Sequence, residues 1–223
     1  MTVRVLSVTT PTHGRVLKRD RASSSEKRDP ISNPEVALVG FHGYAQSAED
    51  MMDVLQAIPG SEACTLISVQ ALHRFYTRGD QKIVASWMTR QDREETIADN
   101  VVYVDRVLET RPDLVFVVGF SQGVAMAYRA ALLGKHTVAG IVAIGGDVPP
   151  DVKAVAADRW PRVLIAAGAA DHWYTADKVE ADERFLQSHG VTHEVCRYDA
   201  GHEITADVSA AVARFVRATA AAR

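Results

Sequence analysis

The chain has 223 residues, of which 47% are hydrophobic and 24% are charged, so it has enough apolar material for one large core. Its formal net charge is −3, from 25 basic and 28 acidic side chains, which gives no bias toward nucleic acid or an anionic membrane surface. We therefore expect a single domain over residues 1–223 that acts on a small neutral or weakly charged molecule.

The start of the chain lacks the features of a targeting segment. Residues 1–8 carry Arg4 inside a short apolar alternation, so the long apolar core of a signal peptide is missing. No apolar run in the sequence reaches the length of a membrane-spanning helix. Cys64 and Cys196 lie in strand-like runs without metal-ligand spacing. These features predict a cytoplasmic protein with two buried thiols, no metal site and no membrane insertion.

The first elements of the chain read as extended. Residues 3–9 alternate apolar and polar side chains, and residues 15–18 continue after a turn signal at residues 12–14, which predicts an N-terminal antiparallel hairpin. Residues 20–34 are charged and serine-rich, with nothing to anchor a core, so a surface loop is predicted there.

The rest of the chain alternates short apolar runs with segments of helix length. The predicted strands are residues 36–41, 65–69, 114–118, 138–144, 163–167 and 193–198. The predicted helices are residues 48–58, 93–110, 123–133, 176–189 and 204–219. This pattern is typical of an α/β fold with a mostly parallel central sheet and helices on both faces. In such sheets the functional site forms at the carboxyl ends of the strands.

A nucleophile motif follows the strand at residues 114–118. Residues 119–123 read Gly-Phe-Ser-Gln-Gly and run at once into a helical pattern. This is a G-x-S-x-G elbow in the strand–turn–helix context that it requires, where the two glycines avoid collisions with the neighbouring strand and helix. The motif predicts Ser121 as a catalytic nucleophile.

A nucleophilic serine needs a base and an orienting acid, which follow the elbow in the order acid, then histidine. Asp171 ends a Gly-x-x-Asp turn after the predicted strand 163–167, and His202 follows Gly201 after the last strand. Asp147 and Asp199 are rivals for the acid, but only Asp171 follows the expected strand in such a turn. We therefore predict His202 as the base and Asp171 as the acid.

Two backbone N–H groups are expected to stabilise the negative charge that develops on the substrate. One is that of Gln122, at the start of the elbow helix, and the other is that of Tyr44, in the His-Gly-Tyr sequence after the strand 36–41. Gly43 leaves room there for the substrate.

The walls of a substrate pocket are the least determined part of the site. Residues 71–90 form a long aromatic and basic connection where a pocket wall belongs. We expect Trp87, Met88, Trp173 and Tyr174 to line an acyl or alcohol pocket, although each aromatic side chain could equally cover the sheet edge.

Four segments together resemble the phospholipase/carboxylesterase family of α/β-hydrolases, whose relatives include acyl-protein thioesterases: residues 40–47, 119–127, 168–171 and 201–204. The resemblance implies an α/β-hydrolase fold with a minimal or absent cap. It also implies a compact esterase that uses no metal or cofactor and carries its triad on Ser121, Asp171 and His202. The chain departs from the family at Val124, where the family usually has glycine.

The sequence thus predicts a serine carboxylesterase or thioesterase acting on a small-molecule ester or thioester. Lysophospholipid hydrolysis or acyl transfer on the same triad is an alternative, because the acyl-enzyme step is shared. A non-catalytic binding module with this fold is a third reading. The natural substrate and the oligomeric state stay open.

Overall fold

A computed structural model describes residues 3–4, 6–22, 35–110 and 112–222. Nine strands occur in these residues: β1 Arg15–Arg19, β2 Val36–Phe41, β3 Thr65–Gln70, β4 His73–Tyr76, β5 Ile83–Ser86, β6 Leu114–Phe120, β7 Gly140–Ile144, β8 Arg162–Gly168 and β9 His193–Tyr198. Five α-helices accompany them: α1 Ala48–Gln56, α2 Arg93–Leu108, α3 Gln122–Leu132, α4 Ala176–Ser188 and α5 Ala206–Ala221.

Seven strands form the central sheet in the order β1-β3-β2-β6-β7-β8-β9. All neighbouring pairs are parallel except β1 with β3 at one edge. The mostly parallel sheet of the α/β-hydrolase fold, predicted from the alternation of apolar runs and helices, is confirmed. Its central strands are apolar because helices cover both of their faces, whereas the edge strands β1 and β9 are partly exposed.

The two faces of the sheet carry separate apolar layers. Along β6, Val115 and Val117 pack in the layer with α2, α3 and α4, while Phe116 and Val118 pack in the layer with α1 and α5. This alternation follows from the two-residue period of a strand, whose successive side chains point to opposite faces. Both layers bury β6, and the predicted nucleophile motif lies at its carboxyl end.

The predicted N-terminal hairpin is wrong. Residues 15–19 do form β1, but β1 pairs antiparallel with β3, and the described residues between 3 and 14 contain no strand. Alternating side chains indicate an extended segment without specifying its partner, and β3 offers a long buried edge. Of the predicted loop at 20–34, residues 23–34 lie outside the described residues.

The connection 71–90 contains structure that the sequence reading missed. β4 and β5 form a separate antiparallel hairpin, and Ala85 also bridges to Gln46. The hairpin therefore packs beside the loop that follows β2, close to the predicted site.

Two further observations bear on the sequence expectations. Cys64 and Cys196 are half-buried rather than buried, and partial burial raises the pKa of both thiols. Within the described part of the chain, no helix combines the length and apolarity needed to cross a membrane.

Candidate active site

The predicted nucleophile, base and acid meet at the carboxyl ends of β6, β8 and β9. The His202 Nε2 atom lies 2.8 Å from Ser121 Oγ, and His202 Nδ1 lies 2.7 Å from Asp171 Oδ2. An ionised carboxylate only accepts hydrogen bonds, so Nδ1 carries the proton and Nε2 is free to accept the serine hydroxyl. These three side chains form one relay, which is the arrangement that activates a serine for attack.

Ser121 has the strained backbone expected of an elbow. Its φ of 52° and ψ of −119° lie in a region that residues other than glycine rarely adopt. The Ser121 N–H donates to the Ile144 carbonyl of β7 at 2.9 Å, which helps to hold the turn. The strain places the hydroxyl beyond the end of the sheet, facing His202.

The two glycines of the elbow are required by close approach of the backbone. A Cβ at position 119 would lie 2.5 Å from the Gly123 carbonyl oxygen, and one at position 123 would lie 2.0 Å from the Phe41 carbonyl oxygen. The neighbouring atoms are backbone atoms and cannot rotate away. The sequence expectation that side chains here would collide with strand and helix is therefore confirmed.

We expect Gly123→Ala to displace the elbow and abolish ester hydrolysis, because its methyl group would overlap the end of β2. Overpacking of this kind typically costs about 1–3 kcal/mol of stability, and here the backbone itself must shift. Gly79→Ala is the matched control, since a Cβ there meets nothing within 4 Å. Melting temperature and turnover measured on both variants test this; an active, equally stable Gly123→Ala protein would contradict it.

Asp171 is enclosed on every side, and its side chain is fully buried. Its Oδ1 atom accepts the N–H groups of Trp173 at 2.7 Å and Tyr174 at 3.0 Å, while Oδ2 faces His202. Burial works to raise the pKa of Asp171, but the hydrogen bonds from His202, Tyr174 and Trp173 together lower it. The carboxylate is therefore ionised at neutral pH.

The rival carboxylates do not contact the histidine. Asp147 is exposed and lies 3.7 Å from Lys178, and Asp199 is exposed on the loop after β9. His202 instead packs its ring against Phe120, with 5.1 Å between ring centroids, which fixes the plane of the imidazole.

The loop after β2 carries one of the predicted oxyanion donors. A Cβ at Gly43 would lie 3.3 Å from Ser121 Cβ, so this loop lies directly beside the nucleophile. Gly43 N–H donates to Gln46 Oε1 at 2.7 Å, which turns the loop back on itself. In the part of the chain that the structure describes, the Tyr44 N–H has no hydrogen-bond acceptor. Gln122 is the first residue of α3, and such N–H groups have no partner within their helix.

His42 is a structural residue of the site that the sequence reading did not single out. It is fully buried, its Nδ1 donates to the Gly43 carbonyl at 2.7 Å and its Nε2 accepts the Ala71 N–H at 3.1 Å. Burial lowers the pKa of His42, and the hydrogen bond to Gly43 opposes this only in part. A neutral imidazole thus braces the loop that carries Tyr44.

Trp87 does not line the pocket as expected. Its side chain is fully buried, its ring packs on Phe41, and its Nε1 donates to the His42 carbonyl at 2.8 Å. An indole buries a large apolar area once its single N–H has an acceptor, and the core beside β2 provides both. The Gln122 amide holds the same segment, accepting the Trp87 N–H at 2.9 Å and donating to the Met88 carbonyl at 3.1 Å.

A cleft of about 220 Å³ opens beside Ser121. The predicted residues Met88, Trp173 and Tyr174 line it, together with residues that sequence reasoning missed: Ala125, Gly145, Gly146 and Lys178. Ala125 could have been found, because it lies one helical turn after Ser121 on the same side of α3. A larger groove of about 330 Å³ lies near Ile58 and Val216 at the opposite ends of the strands, away from Ser121.

The valine in the elbow helix packs directly against a glycine of the loop after β7. A Cβ at Gly146 would lie 2.8 Å from Val124 Cβ and 2.8 Å from the Ser121 carbonyl oxygen. The branched side chain at position 124 is therefore accommodated because position 146 has no side chain.

No metal site accompanies these residues: among the residues described, no group of three His, Cys, Asp or Glu side chains is arranged to hold an ion.

The sequence profile of the dienelactone hydrolase family matches residues 70–223, a stretch that includes Ser121, Asp171 and His202. No curated protein sequence matches the chain.

Solved structures with the same fold include plant and bacterial enzymes. Zea mays acyl-protein thioesterase 2 has a TM-score of 0.74 and 18% sequence identity, over 93% of this chain and 100% of that one. The Bacillus cereus carboxylesterase has a TM-score of 0.69 and 15% identity, over 92% and 94%. Arabidopsis thaliana SOBER1 has a TM-score of 0.66 and 21% identity, over 83% and 98%. The resemblance to carboxylesterases and acyl-protein thioesterases inferred from the four sequence segments is thereby confirmed.

Proposed function

The chain belongs to the dienelactone hydrolase family and is a carboxylic ester hydrolase, and on that premise we propose that it cleaves its substrates through an acyl-enzyme on Ser121. The observation that carries the proposal is the unbroken relay from Asp171 through His202 to Ser121, placed on a strained elbow. The substrates are small-molecule carboxylic esters or thioesters.

Acylation begins when Ser121 Oγ attacks the acyl carbonyl carbon and its proton passes to His202 Nε2. The Asp171 carboxylate stabilises the imidazolium that forms and holds it in orientation. The carbonyl oxygen becomes an oxyanion, for which the N–H groups of Gln122 and Tyr44 are the donors, aided by the positive end of α3. Collapse breaks the bond to the alcohol or thiol, which leaves with the proton from His202.

Deacylation repeats the same steps with water. His202 removes a proton from a water molecule that attacks the acyl-enzyme carbonyl, and the second oxyanion uses the same two donors. Collapse releases the carboxylic acid and returns the proton to Ser121. A single imidazole therefore serves as base and acid in each half of the reaction.

The shape of the cleft favours short acyl groups. Its volume of about 220 Å³ is below the roughly 300–1,000 Å³ of pockets that hold drug-sized ligands. The connection between β7 and β8 carries only two short 3₁₀ turns, Pro150–Val152 and Ala157–Arg159, so it provides no amphipathic lid helix. Trp87 is buried, so its ring cannot wall a long tunnel, and Trp173 lines this small cleft.

We expect kcat/KM to be highest for acyl chains of about butyrate length. Each methylene buried in the cleft contributes about 0.8 kcal/mol, and methylenes beyond the cleft contribute nothing. Values of kcat/KM for 4-nitrophenyl esters of increasing acyl length test this. We also expect no rise in rate when a substrate passes its solubility limit. A steady increase in kcat/KM out to palmitate would contradict a short-acyl cleft.

Ala125→Leu is expected to fill the cleft and shift the preference toward acetate. The larger side chain would occupy the space of the terminal methylenes, so butyrate should lose more in kcat/KM than acetate does. Ala181→Leu on the exposed side of α4 is the matched control. Equal losses for both esters would show that Ala125 does not border the acyl group.

A further inference from the structure

Asp182 of α4 is a buried carboxylate that takes no part in the relay. Its exposed fraction is 2%. Its Oδ2 atom accepts two hydrogen bonds, one from the Val148 N–H at 2.9 Å and one from the Tyr174 hydroxyl at 3.1 Å. The ammonium of Lys153 lies 3.8 Å from the other oxygen. Burying a carboxylate is costly unless it is hydrogen-bonded. The groups that bond to Asp182 therefore indicate which parts of the structure it holds in place.

One partner belongs to the loop that carries the catalytic acid. Tyr174 lines the cleft with its ring, donates its backbone N–H to Asp171 Oδ1 and donates its hydroxyl to Asp182. A second contact from α4 reaches the same loop, since the exposed Lys178 Nζ donates to the Trp173 carbonyl at 2.9 Å and the Trp173 N–H donates to Asp171. The bond between the Tyr174 hydroxyl and Asp182 is the buried one of these two contacts, so the anchoring of the Tyr174 side chain contributes to the orientation of the acid.

The other partner belongs to the loop after β7. Val148 follows Gly145 and Gly146, which lie against the relay: a Cβ at Gly145 would be 3.1 Å from His202 Cε1, and one at Gly146 would be 2.8 Å from the Ser121 carbonyl oxygen. One carboxylate oxygen thus joins the loop beside the nucleophile and base to the loop of the acid.

Burial makes this carboxylate expensive to keep ionised. It raises the pKa of Asp182 in spite of the hydrogen bonds from Val148 and Tyr174 and the attraction of Lys153, and the nearby Asp147 adds to the rise. An apolar residue would fill the same space without that cost. Asp182 differs from an apolar packing residue because its hydrogen bonds connect the two loops.

We infer that Asp182 is a positioning residue that acts through Tyr174 on Asp171 and through Val148 on the loop beside Ser121. The inference rests on the proposed function, because it assigns Asp182 to the same relay.

Tyr174→Phe tests it with the smallest change, since the ring and the backbone N–H to Asp171 remain. We expect kcat to fall about tenfold while KM stays within about twofold, the pattern of a misplaced catalytic group. Tyr103→Phe, which removes a hydroxyl bonded to the Arg15 carbonyl far from the cleft, is the control and should leave both constants unchanged.

The decisive readout is a double-mutant comparison with Asp171→Asn. If Tyr174 acts through Asp171, Tyr174→Phe should lower kcat by less than about twofold in the Asp171→Asn background. Equal losses in both backgrounds, or a change confined to KM, would overturn the inference and leave the relay intact. If Asp171→Asn itself left kcat unchanged, the proposed function would fail first.

Variants of Asp182 give an independent check. Asp182→Asn keeps one oxygen that can accept from both Val148 and Tyr174, so kcat should stay within about threefold. Asp182→Leu removes both acceptors and should lower kcat at least as much as Tyr174→Phe does. If the leucine variant proved as active as the asparagine variant, Asp182 would be a packing residue and the inference would be wrong.

Discussion

Ser121→Ala is expected to abolish ester hydrolysis while the protein stays folded. The proposed chemistry has no other nucleophile. Without the hydroxyl, only substrate binding and the oxyanion donors can still accelerate the reaction, so we expect kcat to fall by a factor on the order of 10⁶. Alanine also carries a Cβ, so the backbone strain at the positive φ of position 121 stays the same and the free energy of unfolding should change little. Turnover of 4-nitrophenyl butyrate and the thermal unfolding curve measure both effects.

A fluorophosphonate probe supplies the control for Ser121→Ala. It should label the unchanged protein at Ser121 and should not label the alanine variant. Labelling that persists in the alanine variant would show that another residue is the reactive nucleophile.

Asp171→Asn is expected to lower kcat by about 10⁴, because an amide facing His202 favours the wrong tautomer of the imidazole. The variant keeps an oxygen for the N–H groups of Trp173 and Tyr174, so the loop should remain in place. KM should change much less than kcat.

Asp147→Asn and Asp199→Asn are the matched controls for the acid. Both carboxylates are exposed and neither contacts His202, so each change should cost far less than Asp171→Asn. A crippled Asp199→Asn enzyme beside an active Asp171→Asn enzyme would reassign the acid.

The sequence predicted the relay because each of its members has a local signature. Ser121 lies in a short motif with two glycines. Each glycine is required because backbone atoms lie too close for a side chain, either a few residues along the chain or on the neighbouring strand. Asp171 and His202 each follow a glycine at the end of an apolar strand, and parallel strands bring their carboxyl ends to one edge of the sheet. In the sheet, β6, β7, β8 and β9 lie side by side in chain order, so the loops after β6, β8 and β9 lie at the same edge.

The walls of the cleft could not be predicted in the same way, because they depend on packing between distant segments. Trp87 and Trp173 are the same residue type in similar loops, yet one is fully buried and the other is 75% exposed. Lys178 lines the cleft from α4, where no local pattern separates it from the charges of a solvated helix face. The wrong N-terminal hairpin has the same origin, since an extended pattern at residues 15–18 does not reveal that β3 is the partner of β1.

Trapping the acyl-enzyme during turnover tests most directly whether Ser121 carries the acyl group. Mixing the protein with excess 4-nitrophenyl butyrate should release a rapid burst of about one equivalent of 4-nitrophenol, provided that deacylation is the slower step. Acid quenching within the burst, followed by mass spectrometry of proteolytic peptides, should then find one butyryl group on the peptide that contains Ser121. A butyryl group found on any other residue while hydrolysis proceeds would show that Ser121 is not the acylated residue, as would steady turnover by the Ser121→Ala variant under the same conditions.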